Sequence, residues 1–173
     1  KATGHKMRKY DLHEFYQSIS QCLGSLKEFR PEVYFIDQQD EQRILIDPVL
    51  PNGRMQPVVV ELIYDHIGSG YSGNSVYCLR LKTPLAAFSK YRQIKGLFHS
   101  NKKIQSLYHP GIKLCLDPGQ TSGNSWGLYM AIELPLFFSD LASNPLSAEE
   151  LQHAFTSLIL CADKAELELF DRD

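Results

Sequence analysis

The chain lacks any apolar run approaching the roughly 20 residues that would span a bilayer. Its first residues, KATGHKMRKYDLHEF, lack the apolar centre of a secretion signal, and a cytoplasmic protein is expected. Cysteine is scarce and scattered: Cys22, Cys78, Cys115 and Cys161 form no CxxC pair. That spacing predicts small buried thiols and no zinc site. No nucleophile elbow, HExxH, kinase or dinucleotide fingerprint occurs. Gly68-Ser69-Gly70 resembles part of a phosphate loop but has neither the following helix nor the Lys-Ser/Thr pair, so it reads as a turn between strands. His13-Glu14 and Asp65-His66 set imidazole beside carboxylate only in sequence, where neighbouring side chains point apart. These absences predict no catalytic residue, no metal and no cofactor.

Acidic residues are missing from His66 to Leu116, a span that carries Arg80, Lys82, Lys90, Arg92, Lys95, Lys102, Lys103 and Lys113. From Asp117 onward the balance reverses, with ten acids against Lys164 and Arg172. Such asymmetry marks a polyanion site, two parts of one fold that attract each other, or a solvated face. Tyr91, Phe98 and Tyr108 interleave with Lys90, Arg92, Lys95, Lys102 and Lys103, as in a surface that stacks single-stranded nucleic acid. The same aromatics also fit the core stripe of a helix, and a pI near 6.3 is low for a nucleic-acid binder.

What is present is a folded domain's worth of hydrophobic pattern, expected as one domain over residues 10–173 behind a flexible basic start at 1–9. Leu12, Phe15, Tyr16, Ile19, Cys22 and Leu23 recur at helical spacing, with Gly24 as the stop. Strands are predicted at Val33–Ile36, Arg43–Ile46, Val58–Tyr64 and Val76–Leu81, the first pair joined by a hairpin loop. The segment DPVLPNGRMQP between the second and third reads as a turn or an extended, protruding loop. Thr83-Pro84 has the form of a helix opener, followed by Leu85, Phe88, Tyr91, Ile94, Phe98 and Ile104 in one bent helix or two short ones. Two further strands, Ile112–Leu116 and Trp126–Leu134, precede the best-specified helix of the chain. Ser147 and Glu150 have capping-box spacing there, and Leu151, Phe155, Leu158, Ala162, Ala165 and Leu169 form one apolar stripe. The order α-ββββ-α-ββ-α predicts an α+β fold with an antiparallel sheet of about six strands and helices packed on it.

That order, with the runs EVYFID, RILIDP, VVVELIYD, SVYCLRL, IKLCLDP, WGLYMAIELPL and NPLSAEELQHAFTSLILCADKAELEL, resembles the class I type III secretion chaperone fold shared with YbjN-like domains, over about residues 10–170. The resemblance implies a small cytoplasmic homodimer without catalytic residues that holds an extended segment of a secreted partner. It places Phe88, Tyr91, Ile94 and Phe98 of the middle helix at or near the dimer interface. The proline-rich loop around Pro51 and the basic middle depart from the usual members. A groove or sheet edge would capture such a segment by strand addition, with Tyr34, Ile36, Leu45 and Met130 as groove candidates or as ordinary core. The expectation is thus a non-enzymatic protein-binding module. The alternative is a nucleic-acid or other polyanion binder using Lys90, Arg92, Lys95, Lys102 and Lys103 within residues 80–113. An enzyme with a spatially assembled Cys–His or Asp–His pair is a third, remoter reading.

Overall fold

A computed structural model describes residues 9–38, 41–65, 76–88, 111–118, 126–136 and 147–170. Helix α1 spans Lys9–Gly24, and a single 3-10 turn, Lys27–Phe29, leads into the sheet. The strands are β1 (Glu32–Gln38), β2 (Glu41–Asp47), β3 (Val58–Asp65), β4 (Val76–Phe88), β5 (Ile112–Pro118) and β6 (Trp126–Leu136). Helix α2, Ala148–Phe170, follows. All pairings are antiparallel, and the strand order is β1-β2-β3-β4-β6-β5. The fold is α+β, as the pattern predicts, and β1 and β5 are the two edges of the described sheet.

Both helices lie on one face, because each has a single apolar stripe to bury. Helix α1 packs on β1 and β2, α2 packs on β4 and β6, and the helices touch each other. Phe15, Tyr16, Ile19 and Leu23 of α1 are buried, as are Leu151, Phe155, Leu158, Ala162 and Ala165 of α2. Beneath them sit Ile44, Ile46, Val58, Val60, Leu79, Leu81, Met130 and Ile132, every one at most 2% exposed. The start of α2 is capped as its sequence requires: the Glu150 N–H donates to Ser147 Oγ at 3.1 Å.

One expectation is corrected. The helix expected from Thr83-Pro84 does not begin there, since Val76–Phe88 is one strand along β6. Thr83 is fully buried, and its hydroxyl accepts a hydrogen bond from Gln56 Nε2 at 2.8 Å instead of capping a helix. Pro84 is accommodated because the register shifts between Pro84 and Ala86, a bulge where the missing N–H disturbs the ladder least. Phe88 ends this strand, and the rest of the expected middle helix, 89–110, lies outside the described residues.

Of the two readings of residues 48–57, a turn or an extended loop, the structure has the turn. It folds on itself through a bridge between Val49 and Met55, and Leu50 is buried. Gly53 supplies the positive φ, +83°, that the turn needs. Asn52 Nδ2 then donates to Asp163 at 2.9 Å and Arg54 pairs with Asp163 and Glu166. Buried Gln56 donates to Thr83, to the Pro84 carbonyl and to Glu166. The loop is therefore a brace between the outer end of β4 and α2.

Candidate functional site

The edge strand β1 is the least protected part of the described sheet. It pairs with β2 along its whole length, Glu32 opposite Asp47 through Gln38 opposite Glu41, without a bulge. Edge strands are ordinarily blunted by charged side chains, lysine above all, by proline or by bulges; EVYFIDQ has no lysine, proline or bulge, and its charged residues are Glu32 and Asp37. The opposite edge, β5, carries Lys113 and ends in Pro118. Pro31 halts helical geometry just before β1, and Arg30 makes the corner in left-handed conformation at φ +41°.

Alternation assigns the side chains of β1 to two faces. Val33 and Phe35 share the helix side with Ile46 and Ile44, their partners in register, and Phe35 lies 6.3 Å from His13 of α1, ring to ring. Helix α1 does not cover the edge fully, so Phe35 remains 53% exposed. Glu32, Tyr34 and Ile36 occupy the helix-free face, with Tyr34 opposite Leu45 and Ile36 opposite Arg43. Tyr34 is 46% exposed, and its hydroxyl donates to the Glu32 carboxylate, which together with that carboxylate's charge raises the phenol's pKa.

One tie from α1 fixes which backbone groups of the edge are free. The β2–β3 ladder ends at Arg43 opposite Glu61, and the next amide, Leu62 N–H, donates to Tyr16 Oη at 2.7 Å. The Leu62 N–H therefore points toward the β2 side. Backbone groups in an antiparallel strand alternate sides, so Val58 and Val60 also face β2. The register then turns Arg43, Leu45 and Asp47 toward β1, and Glu32, Tyr34 and Ile36 inward to meet them. Val33, Phe35 and Asp37 direct their N–H and C=O groups out of the sheet.

Farther along the helix-free face the chemistry is ionic. Glu61, only 8% exposed, is met by Arg43 at 3.4 Å, Arg80 at 3.6 Å and Lys82 at 3.2 Å. Arg80 also grips Glu133 at 2.8 Å, and Lys113 reaches the same carboxylate at 3.4 Å. Burial alone pushes the Glu133 pKa up, but the Arg80 hydrogen bond and the Lys113 and Arg80 charges outweigh it and hold it below the ordinary glutamate value. Burial likewise lowers the Arg80 pKa, and Glu133 with Glu61 more than reverses the effect. Lys82 additionally lies 5.3 Å from the Tyr129 ring centroid. Thus Arg80, Lys82 and Lys113 of the basic middle are engaged by carboxylates of the same sheet.

Three of the four groove candidates, Tyr34, Ile36 and Leu45, come together on the helix-free face beside the edge. Met130 does not join them: it is fully buried under the helices and is core. Phe35, absent from the candidates, is the most exposed apolar side chain of the edge. Tyr91, Ile94 and Phe98, and likewise Lys90, Arg92, Lys95, Lys102 and Lys103, lie outside the described residues. Among the described residues, no three His, Cys, Asp or Glu side chains converge to hold a metal ion, and no helix is long and apolar enough to cross a membrane. Cys161 is buried, and burial raises the pKa of half-buried Cys22. No protein-family model, curated protein or solved structure matches the chain.

Proposed function

We propose that the protein is a binding module that takes an extended segment of a partner protein as an added strand on β1. The observation that carries the reading is an edge of seven residues without lysine, proline or bulge, with Tyr34 and Phe35 half exposed on its two faces. Outward N–H and C=O groups at Val33 and Phe35 supply affinity for any backbone, and the flanking apolar side chains select alternate residues of the guest. The likeness to secretion chaperones, which hold extended segments, agrees with this reading, and no catalytic role is assigned to any residue. In the alternative, polyanion binding, Arg80, Lys82 and Lys113 are engaged by Glu61 and Glu133, and its candidate bases Lys90, Arg92, Lys95, Lys102 and Lys103 lie outside the described residues.

The test is a substitution that changes one backbone donor. Phe35→Pro removes an outward N–H while leaving the inward ladder to β2 intact. Binding of a reduced and alkylated protein that cannot refold is then measured by fluorescence anisotropy. Wild type binds, and Phe35→Pro, with an unchanged circular dichroism spectrum, binds at least about tenfold more weakly, the loss of roughly one to two hydrogen bonds. Equal binding by a folded Phe35→Pro variant would overturn the proposal.

A further inference from the structure

The sequence of β1 is suited to pairing with itself, and the geometry points to a second copy of this chain as the resting occupant of the edge. This inference rests on the reading of β1 as a pairing edge and names what sits there before an extended segment arrives. A two-fold axis normal to the sheet makes two β1 strands antiparallel and keeps each face continuous, so residues opposite one another share a face. Full overlap of Glu32–Gln38 is reached in one register, with Phe35 opposite Phe35 of the second copy. The outward groups then meet: Val33 faces Asp37, Phe35 faces Phe35, and Asp37 faces Val33. Each such pair exchanges two bonds, about six across the junction.

Side chains agree with that register. Tyr34 comes opposite Ile36 on the helix-free face, an aromatic–β-branched pair of the kind that stabilises sheets. The two Phe35 rings, each half exposed in a single copy, lie beside each other next to the two α1 helices. In register, Glu32 falls opposite Gln38 and Val33 opposite Asp37. Sliding the strands either way shortens the overlap, and sliding toward Tyr34 brings Asp37 opposite Pro31, which has no N–H to give. The edge is thus self-complementary in length and hydrophobic pattern, and a guest segment competes with the second copy for the same groups.

Placing residue 35 against its own copy makes the test specific. Sedimentation velocity over a concentration series is run on wild type, on Phe35→Lys, on Phe35→Glu and on their equimolar mixture. The expected result is a concentration-dependent dimer for wild type, loss of that dimer in each variant alone, and its recovery in the mixture. A wild type that stays monomeric throughout, or a dimer insensitive to both substitutions, would overturn the inference. Segment binding is read separately on wild type, whose affinity for the unfolded, alkylated protein falls as rising protein concentration drives the dimer. Loss and recovery of the dimer with no species binding that probe would reject segment binding and leave the self-pairing standing.

Discussion

The Tyr16 hydroxyl accepts the backbone N–H of Leu62 at 2.7 Å, just past the last residue pair of the β2–β3 ladder. This bond ties α1 to the middle of the sheet and satisfies an amide that the shorter β2 pairing leaves over. Tyr16→Phe keeps the packing and orphans the N–H. The expected cost is about 1–2 kcal/mol in urea unfolding, with faster hydrogen exchange at Leu62 than at Val60. An unchanged Leu62 exchange rate would show that the amide has another partner.

Gln56 is 1% exposed and joins Thr83, Pro84 and Glu166 through one amide group. Gln56→Ala removes the donor and leaves those acceptors without it in a buried setting. A loss of about 2–3 kcal/mol is expected. Asn52→Ala, whose hydrogen bond to Asp163 is exposed, should cost less than about 1 kcal/mol. Chemical denaturation of the two variants ranks them, and the reverse ranking would deny the loop its bracing role.

Glu133 gives the ion-pair network a defined pH signature. Its folded-state pKa is depressed, so the folded protein holds its proton less tightly than the unfolded chain does. The resulting stability is fully present above the unfolded value, about 4.3, and disappears as pH falls through the depressed folded value. Glu133→Gln should therefore be less stable than wild type at pH 7, by about 1 kcal/mol for a partly exposed pair, with the gap narrowing below about pH 4. A gap independent of pH would place the effect in packing.

Arg30 turns the chain into β1 with φ +41° and ψ 52°, a conformation that costs L-residues with a Cβ about 1–2 kcal/mol. Arg30→Gly relieves that strain, although glycine also enlarges the freedom of the unfolded chain. A net gain of about 0.5–1 kcal/mol is expected in thermal or urea unfolding. Destabilisation would mean that the Arg30 side chain contributes more than its backbone strain removes.

The elements were legible where one short-range signal dominated. Ser147 with Glu150 marked the start of α2, Gly24 the end of α1, and the β-branched runs each strand. Thr83-Pro84 misled because its deciding partner, Gln56, lies far away in sequence and a buried strand next to β6 won over local helix propensity. Met130 shares its parity in WGLYMAIELPL with Leu128, Ile132 and Leu136, against Tyr129 and Glu133 at the other, so the alternation itself assigns it to the core face and not to a groove with Tyr34 and Leu45. Phe35 has the parity of Ile44 and Ile46, and its exposure arises only because α1 stops short of the edge. The asymmetry of charge was visible; that Glu133 of the acidic end meets Arg80 and Lys113 of the basic middle required the β4-β6-β5 order.

The most direct measurement of the edge reading is residue-resolved amide hydrogen exchange along β1, in dilute protein with and without the unfolded, alkylated partner. The account predicts alternation in the dilute protein: Tyr34 and Ile36 protected by β2, Val33 and Phe35 exchanging freely. Added partner should slow Val33 and Phe35 selectively, leaving Lys113 and Cys115 on the far edge unchanged. Protection of Phe35 equal to that of Tyr34 in dilute protein, or a bound partner that leaves Val33 and Phe35 exchanging as before, would contradict it.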